Sequence, residues 1–302
     1  MLGAPHMPHR HFLAQVIETW RIWAQTFHKP LLLMALSVFM AGIMWSMQAT
    51  GVSPAKMHWW SLAMLISMAP ASLFYSGFGL QLMAKAAGVN IPLKQAAYTS
   101  AVAILADVLP LPGSAIIRTH ALMKAGARLT QGSLLVFVTA ILWIALGVLG
   151  AGFALLNDHN ESAWFLIAIG LASSSLTCGY LWQKSGKVLT FLTLFHRLMG
   201  IALIALRLHL AFRVFGTPLP ILQIMPIVLA TIAGSASAIA PAGLGVSEAL
   251  AALAANATNI PPGAAFLAVG ADRFIHIFVS WLATASPLFR GWIKQSHRHA
   301  GF

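Results

Sequence analysis

Apolar residues in this chain come in long unbroken runs. They form neither the 3.6-residue stripe of a water-exposed helix nor the alternation of a half-buried strand. Residues 31–49, 59–83, 132–157 and 163–182 contain no Asp, Glu, Lys or Arg. About 20 such residues cross the hydrocarbon core of a bilayer as a helix. Two further runs, from about 198 to 215 and from 260 to 289, are long enough to do the same. The pattern predicts an all-α polytopic membrane protein with about six full spans. Ahead of the spans, Phe12, Val16, Trp20, Trp23 and Phe27 recur at helical spacing, with His11, Gln15, Glu18, Arg21, Gln25 and Lys29 on other faces. Residues 1–30 are therefore expected to be an interfacial amphipathic segment, with tryptophans at headgroup level. Residues 31–302 are expected to form a single transmembrane domain. The first apolar run starts only at Leu31 and is long enough to span, so a cleaved signal peptide is not expected.

Two segments between the spans are less apolar and are interrupted by proline and glycine. One reads Leu109-Pro110-Leu111-Pro112-Gly113 followed by Arg118. The other, about 130 residues on, reads Ala240-Pro241-Ala242-Gly243-Leu244-Gly245 followed by Glu248. In each, an ionisable residue stands five positions after a glycine. A matched pair of Pro/Gly-interrupted apolar segments points to a binding site at membrane depth, because the break frees backbone groups for a polar ligand. Irregular backbone is tolerated there only inside protein or along a cavity. The sequence thus adds two broken or re-entrant helical segments to the six spans.

Charge supplies orientation. With 18 Lys and Arg against 6 Asp and Glu the chain is strongly basic, yet only 8% of it is charged, against about 25% in soluble domains. Placing the lysines and arginines of short loops in the cytoplasm puts both termini there and makes the protein multi-pass in the plasma (inner) membrane. This assigns thirteen basic residues to the inside, Arg197 among them, and only Lys56 and Arg213 to the outside. On this tracing the first broken segment enters from the cytoplasm and the second from outside, which makes an inverted repeat. The net charge of +12 then reads as topology signal and attraction to anionic lipid headgroups. Nucleic acid is not an expected partner; membrane lipids are, and the reading leaves room for a homo-oligomer.

Asp107, Arg118, Arg207, Glu248, Asp272 and Arg273 fall in or beside apolar segments. A charge at the centre of a membrane helix costs about 2.5–3.5 kcal/mol on insertion scales, so such residues face a cavity, pair with each other or mark a substrate path. Asp272 and Arg273 are adjacent and point about 100° apart on a helix. Arg273 is therefore expected to face the cavity and Asp272 to pair with Arg207 on another helix. Asp107 is compatible with a shallower position, and the alternative for the whole set is ion pairs that only fix packing. Gly77-Phe78-Gly79 reads as helix packing. Cys178, the single cysteine, reads as packing too. No HExxH, Walker loop or Ser/His/Asp order is present. Neither an enzyme, a cofactor nor a metal site is expected, and the terminal histidines show no ligand spacing.

The stretch 105–126, with its LPLPG break, Arg118 and Leu-Met-Lys-Ala-Gly, resembles the first conserved block of the lysylphosphatidylglycerol synthase transmembrane-region family. Residues 238–281 resemble its second block through Pro241, Gly243, Gly245, Glu248 and Arg273. The resemblance covers about residues 30–290. It implies the flippase-like half of multiple-peptide-resistance proteins, which moves modified phospholipids between leaflets. Ala140-Ile141 stands where the family has an acidic–arginine pair, and nothing in the sequence matches the aminoacyl-transferase domain, so lipid aminoacylation is not implied. The expected function is translocation of a phospholipid or lipid-linked anionic substrate. Arg118, Arg207 and Arg273 would meet its phosphate, since arginine binds phosphate bidentately. Glu248 and Asp272 would hold the arginines or contact a cationic headgroup, and Pro112, Gly113, Pro241, Gly243 and Gly245 would open the backbone to it. The alternative is a non-transporting membrane partner or assembly factor for an envelope-lipid or glycan pathway.

The tracing has a direct check. Cysteines introduced at Lys56 and Asn160 should react with an impermeant thiol reagent added outside intact cells, and those at Lys187 and Lys294 should not. Outside labelling at Lys187 would reverse the side from which one broken segment enters.

Overall fold

The computed structural model describes residues 37–286 other than 38, 54, 56, 108–111, 157–160 and 237–244. The expected amphipathic segment 1–30 and the positions of Pro241 and Gly243 lie outside the described residues. What is described is helical, with no strand among it. A helix over 39–50 (α1) is followed by α2 (Trp59–Ala86), α3 (Leu93–Ala106), α4 (Gly113–Lys124), α5 (Leu129–Leu156), α6 (Ser162–Val214), α7 (Ile221–Ala236), α8 (Val246–Ala257) and α9 (Pro262–Ala285). Four of these, α2, α5, α6 and α9, are long and apolar enough to cross a membrane. Their outward faces carry side chains such as Trp60 at 67% exposure and Leu176 at 77%. Apolar surface this extensive is tolerated against lipid and not against water.

Local chemistry sets the helix limits. The His58 ring nitrogen accepts the Ser61 N–H at 3.2 Å to start α2, and Pro262 opens α9 at a position that has no N–H to satisfy. Helices α2, α4 and α6 stop at Gly88, Gly126 and Gly216, all with positive φ. In each case the next residue's N–H reaches back to a carbonyl five residues earlier, as in Val89 to Ala84. Asn259, at φ 56°, ends α8 in the same way.

The longest helix is folded on itself. Gly186, at φ 81° and ψ 168°, interrupts α6, and both of its limbs pack on α5. Gly170 touches Leu149, while Gly200 touches Trp143. Thirty residues of straight helix would hold Gly170 and Gly200 about 45 Å apart, yet their partners on α5 are only six residues apart. The chain therefore turns back at Gly186. The sequence pattern begins the second limb near 198; it begins at 187, because the lysine and arginine read as one loop lie on a continuing helix.

Contacts between elements then fix two ends. At one, His58 donates its N–H to the Val214 carbonyl at 3.0 Å, Gly263 lies against Ser46 and Thr50, and Met225 lies against Gly150. At the other are Gly186, the close of α2 and the start of α5, where the Gln131 side chain donates to the Ala87 carbonyl. Helices α3 and α4 form a hairpin that rises from the Gly186 end and returns to it. Helices α7 and α8 form a second hairpin that enters from the His58 end and returns there. Each hairpin closes on a glycine. A Cβ on Gly113 would lie 2.2 Å from the Ala106 carbonyl oxygen, and one on Gly234 2.3 Å from the Ser247 hydroxyl. Small residues of this kind let backbones approach where no hydrophobic force separates helix from lipid. Gly77, whose Cβ would meet the Ala97 backbone at 2.6 Å, seats α3 on α2, and Gly79 makes room for the His196 ring.

Gly77→Ala should therefore destabilise the protein by about 1–3 kcal/mol, the usual cost of overpacking. Gly179→Ala, in the first limb of α6 with nothing within 4 Å of the added carbon, should stabilise it by about 0.5–1 kcal/mol through helix propensity. Thermal unfolding in one detergent, followed by size-exclusion of the surviving species, reads both; equal shifts would contradict the α2–α3 contact.

Candidate functional site

The end of α3, the start of α4 and the end of α7 meet at a cavity of about 440 Å³. The first hairpin contributes Asp107, Pro112, Ser114 and Arg118 to its wall, and the second contributes Ser235 and Ala236. Tyr75 and Ser76 come from α2, Trp143 from α5, His196, Arg197 and Arg207 from α6, and Asp272 and Arg273 from α9. Of the residues expected from sequence, Pro112, Arg118, Arg207, Asp272 and Arg273 are brought together here. Asp107, compatible on sequence with a shallow position, lines the same space.

Two arginines are tethered. Arg207 donates from Nε and Nη2 to the two carboxylate oxygens of Asp272, each at 2.8 Å, and from Nη1 to the Ser72 hydroxyl at 3.2 Å. This is the fork-to-fork pair that α9 geometry predicts, with Asp272 turned to α6 and Arg273 turned to the cavity. Arg273 Nη1 lies 3.8 Å from Glu248 Oε1. Glu248 is 0% exposed and does not line the cavity. Its other oxygen, Oε2, accepts the Gly245 N–H at 2.8 Å. Glu248 thus satisfies the N-terminus of α8 and holds Arg273 at once. Asp107 does the equivalent in the first hairpin, its Oδ1 accepting the Ser114 N–H at 2.7 Å at the start of α4. Both acids sit where a helix N-terminus favours negative charge.

Two of the expected glycines have local roles. At Gly113 the Ala106 carbonyl packs where a Cβ would stand, which closes the hairpin. Gly245, at φ 85°, gives its N–H to Glu248.

The other two arginines are untethered. Arg118 Nη2 donates to the Ser76 hydroxyl at 3.1 Å, and its buried Nε has no hydrogen-bond partner. Arg197 lies with its guanidinium carbon 5.0 Å from the centre of the Trp143 ring, a cation–π contact, and its Nε is likewise unpartnered. Neither has a carboxylate within 4 Å among the described residues. Arg197 is a correction: the charge tracing assigns it to a cytoplasmic loop, and the structure sets it in the cavity wall. The signal was in the chain, since Val188 to His196 is nine residues without a formal charge directly after Lys187. Tyr75 and His196 line the cavity together with these arginines. Their rings stack at 4.0 Å, the Tyr75 hydroxyl donates to the His196 carbonyl, and His196 Nε2 donates to the Tyr75 carbonyl at 3.0 Å.

Among the described residues no three His, Cys, Asp or Glu side chains gather to hold a metal. In comparisons with family models, curated proteins and solved structures, the chain matches none.

The Arg207–Asp272 pair makes a quantitative expectation. Asp272→Asn leaves a buried guanidinium uncompensated and should cost about 3–5 kcal/mol, whereas adding Arg207→Gln removes the orphaned charge and should recover part of it. Folded yield and thermal stability of the single and double variants check this; losses that simply add would show that the two side chains are not coupled.

Proposed function

We propose that this protein is a membrane translocase for a phospholipid or a lipid-linked anionic substrate, built as an inverted repeat. One unit is α2, the α3–α4 hairpin and α5; the other is the second limb of α6, the α7–α8 hairpin and α9. The observation that carries this reading is the cavity at the meeting point of two hairpins that approach from opposite ends. Helices α4 and α8, both 12 residues long, hold corresponding places in the two units, and each is capped by a carboxylate. Substrate sites of inverted-repeat transporters lie at such an interface, against discontinuous helices. Lys85, Lys94, Lys124, Arg128, Lys184 and Lys187 belong to the Gly186 end, which supports placing that end in the cytoplasm. This reading keeps the resemblance to the lysylphosphatidylglycerol synthase transmembrane-region family and, with it, residence in the plasma (inner) membrane as part of the proposal.

Leaflet exchange in reconstituted vesicles tests the proposal. Protein in phosphatidylcholine vesicles containing fluorescent phosphatidylglycerol or phosphatidic acid should expose inner-leaflet label to dithionite, and Arg118→Gln should abolish that exposure while inserting normally. A scaffold would move neither lipid, and the variant would then be indistinguishable from the parent.

A further inference from the structure

The translocase reading gives the cavity its substrate; the division of its arginines says what that substrate ends in. We infer that Arg118 and Arg197 form a subsite for a terminal phosphate, a group with three free oxygens and two ionisable protons. Arg207 has three of its nitrogens committed to Asp272 and Ser72, and Arg273 stands at Glu248. Among the described residues no carboxylate lies within 4 Å of Arg118 or Arg197, which meet a neutral hydroxyl and an aromatic face.

Their placement is costly unless something fills it. Arg118 comes from α4 and Arg197 from α6. Arg118 bonds Ser76, next to Tyr75, and Arg197 follows His196, whose carbonyl accepts the Tyr75 hydroxyl, so both arginines stand beside Tyr75 in one cavity wall. Asp107 faces the same space, but it stays beyond 4 Å of both guanidiniums and is held by the Ser114 N–H. Like charges set in one apolar wall are costly, and an anion between them relieves that cost. A phosphodiester brings one charge and two free oxygens, which one guanidinium fork satisfies. A terminal phosphate carries about −1.5 to −2 at neutral pH and three acceptor oxygens, so it can turn one edge to each arginine. The remaining wall, with Ile104, Ile144, Leu203, Ile204, Ile232 and Ile277, suits an apolar chain attached to that phosphate.

Calorimetric titration of the full-length chain in phosphatidylcholine nanodiscs distinguishes the possibilities, with dodecyl phosphate, methyl dodecyl phosphate and inorganic phosphate as probes. Dodecyl phosphate should bind at least about tenfold more tightly than its methyl diester, the change that one charge-assisted contact brings. Inorganic phosphate should compete only weakly. Arg118→Gln and Arg197→Gln should each bring the two alkyl probes to near-equal affinity. Arg118→Lys and Arg197→Lys, which keep the charge and lose the fork, should bind dodecyl phosphate more weakly than the parent in monodisperse protein. Equal binding of monoester and diester by the parent overturns the inference while leaving translocation of a diester lipid intact. Full affinity for dodecyl phosphate in either Lys variant also overturns it. Inorganic phosphate binding as tightly as dodecyl phosphate would retain the terminal-phosphate subsite and overturn the lipid reading instead.

Discussion

A helix that ends inside a protein leaves backbone N–H groups with no water to meet them, and the centre of this molecule contains two such ends. Both are met by a carboxylate from nearby in the chain: Asp107 at the start of α4 and Glu248 at the start of α8. Everything else at the centre follows from that requirement. The acids bring negative charge inward, which makes arginines admissible there, and the arginines in turn need polar company from α2, α6 and α9. The cavity is the space left between groups that could not be packed against hydrocarbon.

Much of this was legible in the chain. Uncharged runs gave the long helices, the two Pro/Gly breaks gave the hairpins, and the adjacency of Asp272 and Arg273 was enough to assign Arg207 to one of them. What the chain did not reveal shares a cause. Gly113 packs on Ala106, a contact between elements that local spacing does not encode. Arg197 was grouped with Lys184 and Lys187 because counting charges near loops ignores where a helix has already restarted. Tyr75, His196 and Trp143 had no signal at all: an aromatic residue in an apolar run looks the same facing lipid or facing a neighbour.

The four central arginines show why burial alone does not identify function. Arg207 gives three nitrogens to Asp272 and Ser72, and for that reason it is best understood as part of the framework joining α6 to α9. Arg118 and Arg197 are incompletely satisfied, with buried Nε groups that meet nothing. Unpaired buried donors in a structure call for an explanation, and here they share one cavity.

On the proposed reading of two repeated units, the reversal at Gly186 determines their parity. The chain finishes α5 at the His58 end, and a second unit beginning there would repeat the first in the same sense. The first limb of α6 is one additional traverse, belonging to neither unit, and it delivers the chain to the opposite end before the second limb begins. An odd number of traverses between two similar units turns one upside down relative to the other; an even number would leave them parallel. Deleting residues 162–185 would thus remove more than a helix. It would ask the hairpin of α7 and α8 to start from the end already occupied by that of α3 and α4, and the start of α4 and the end of α7 could no longer line one cavity.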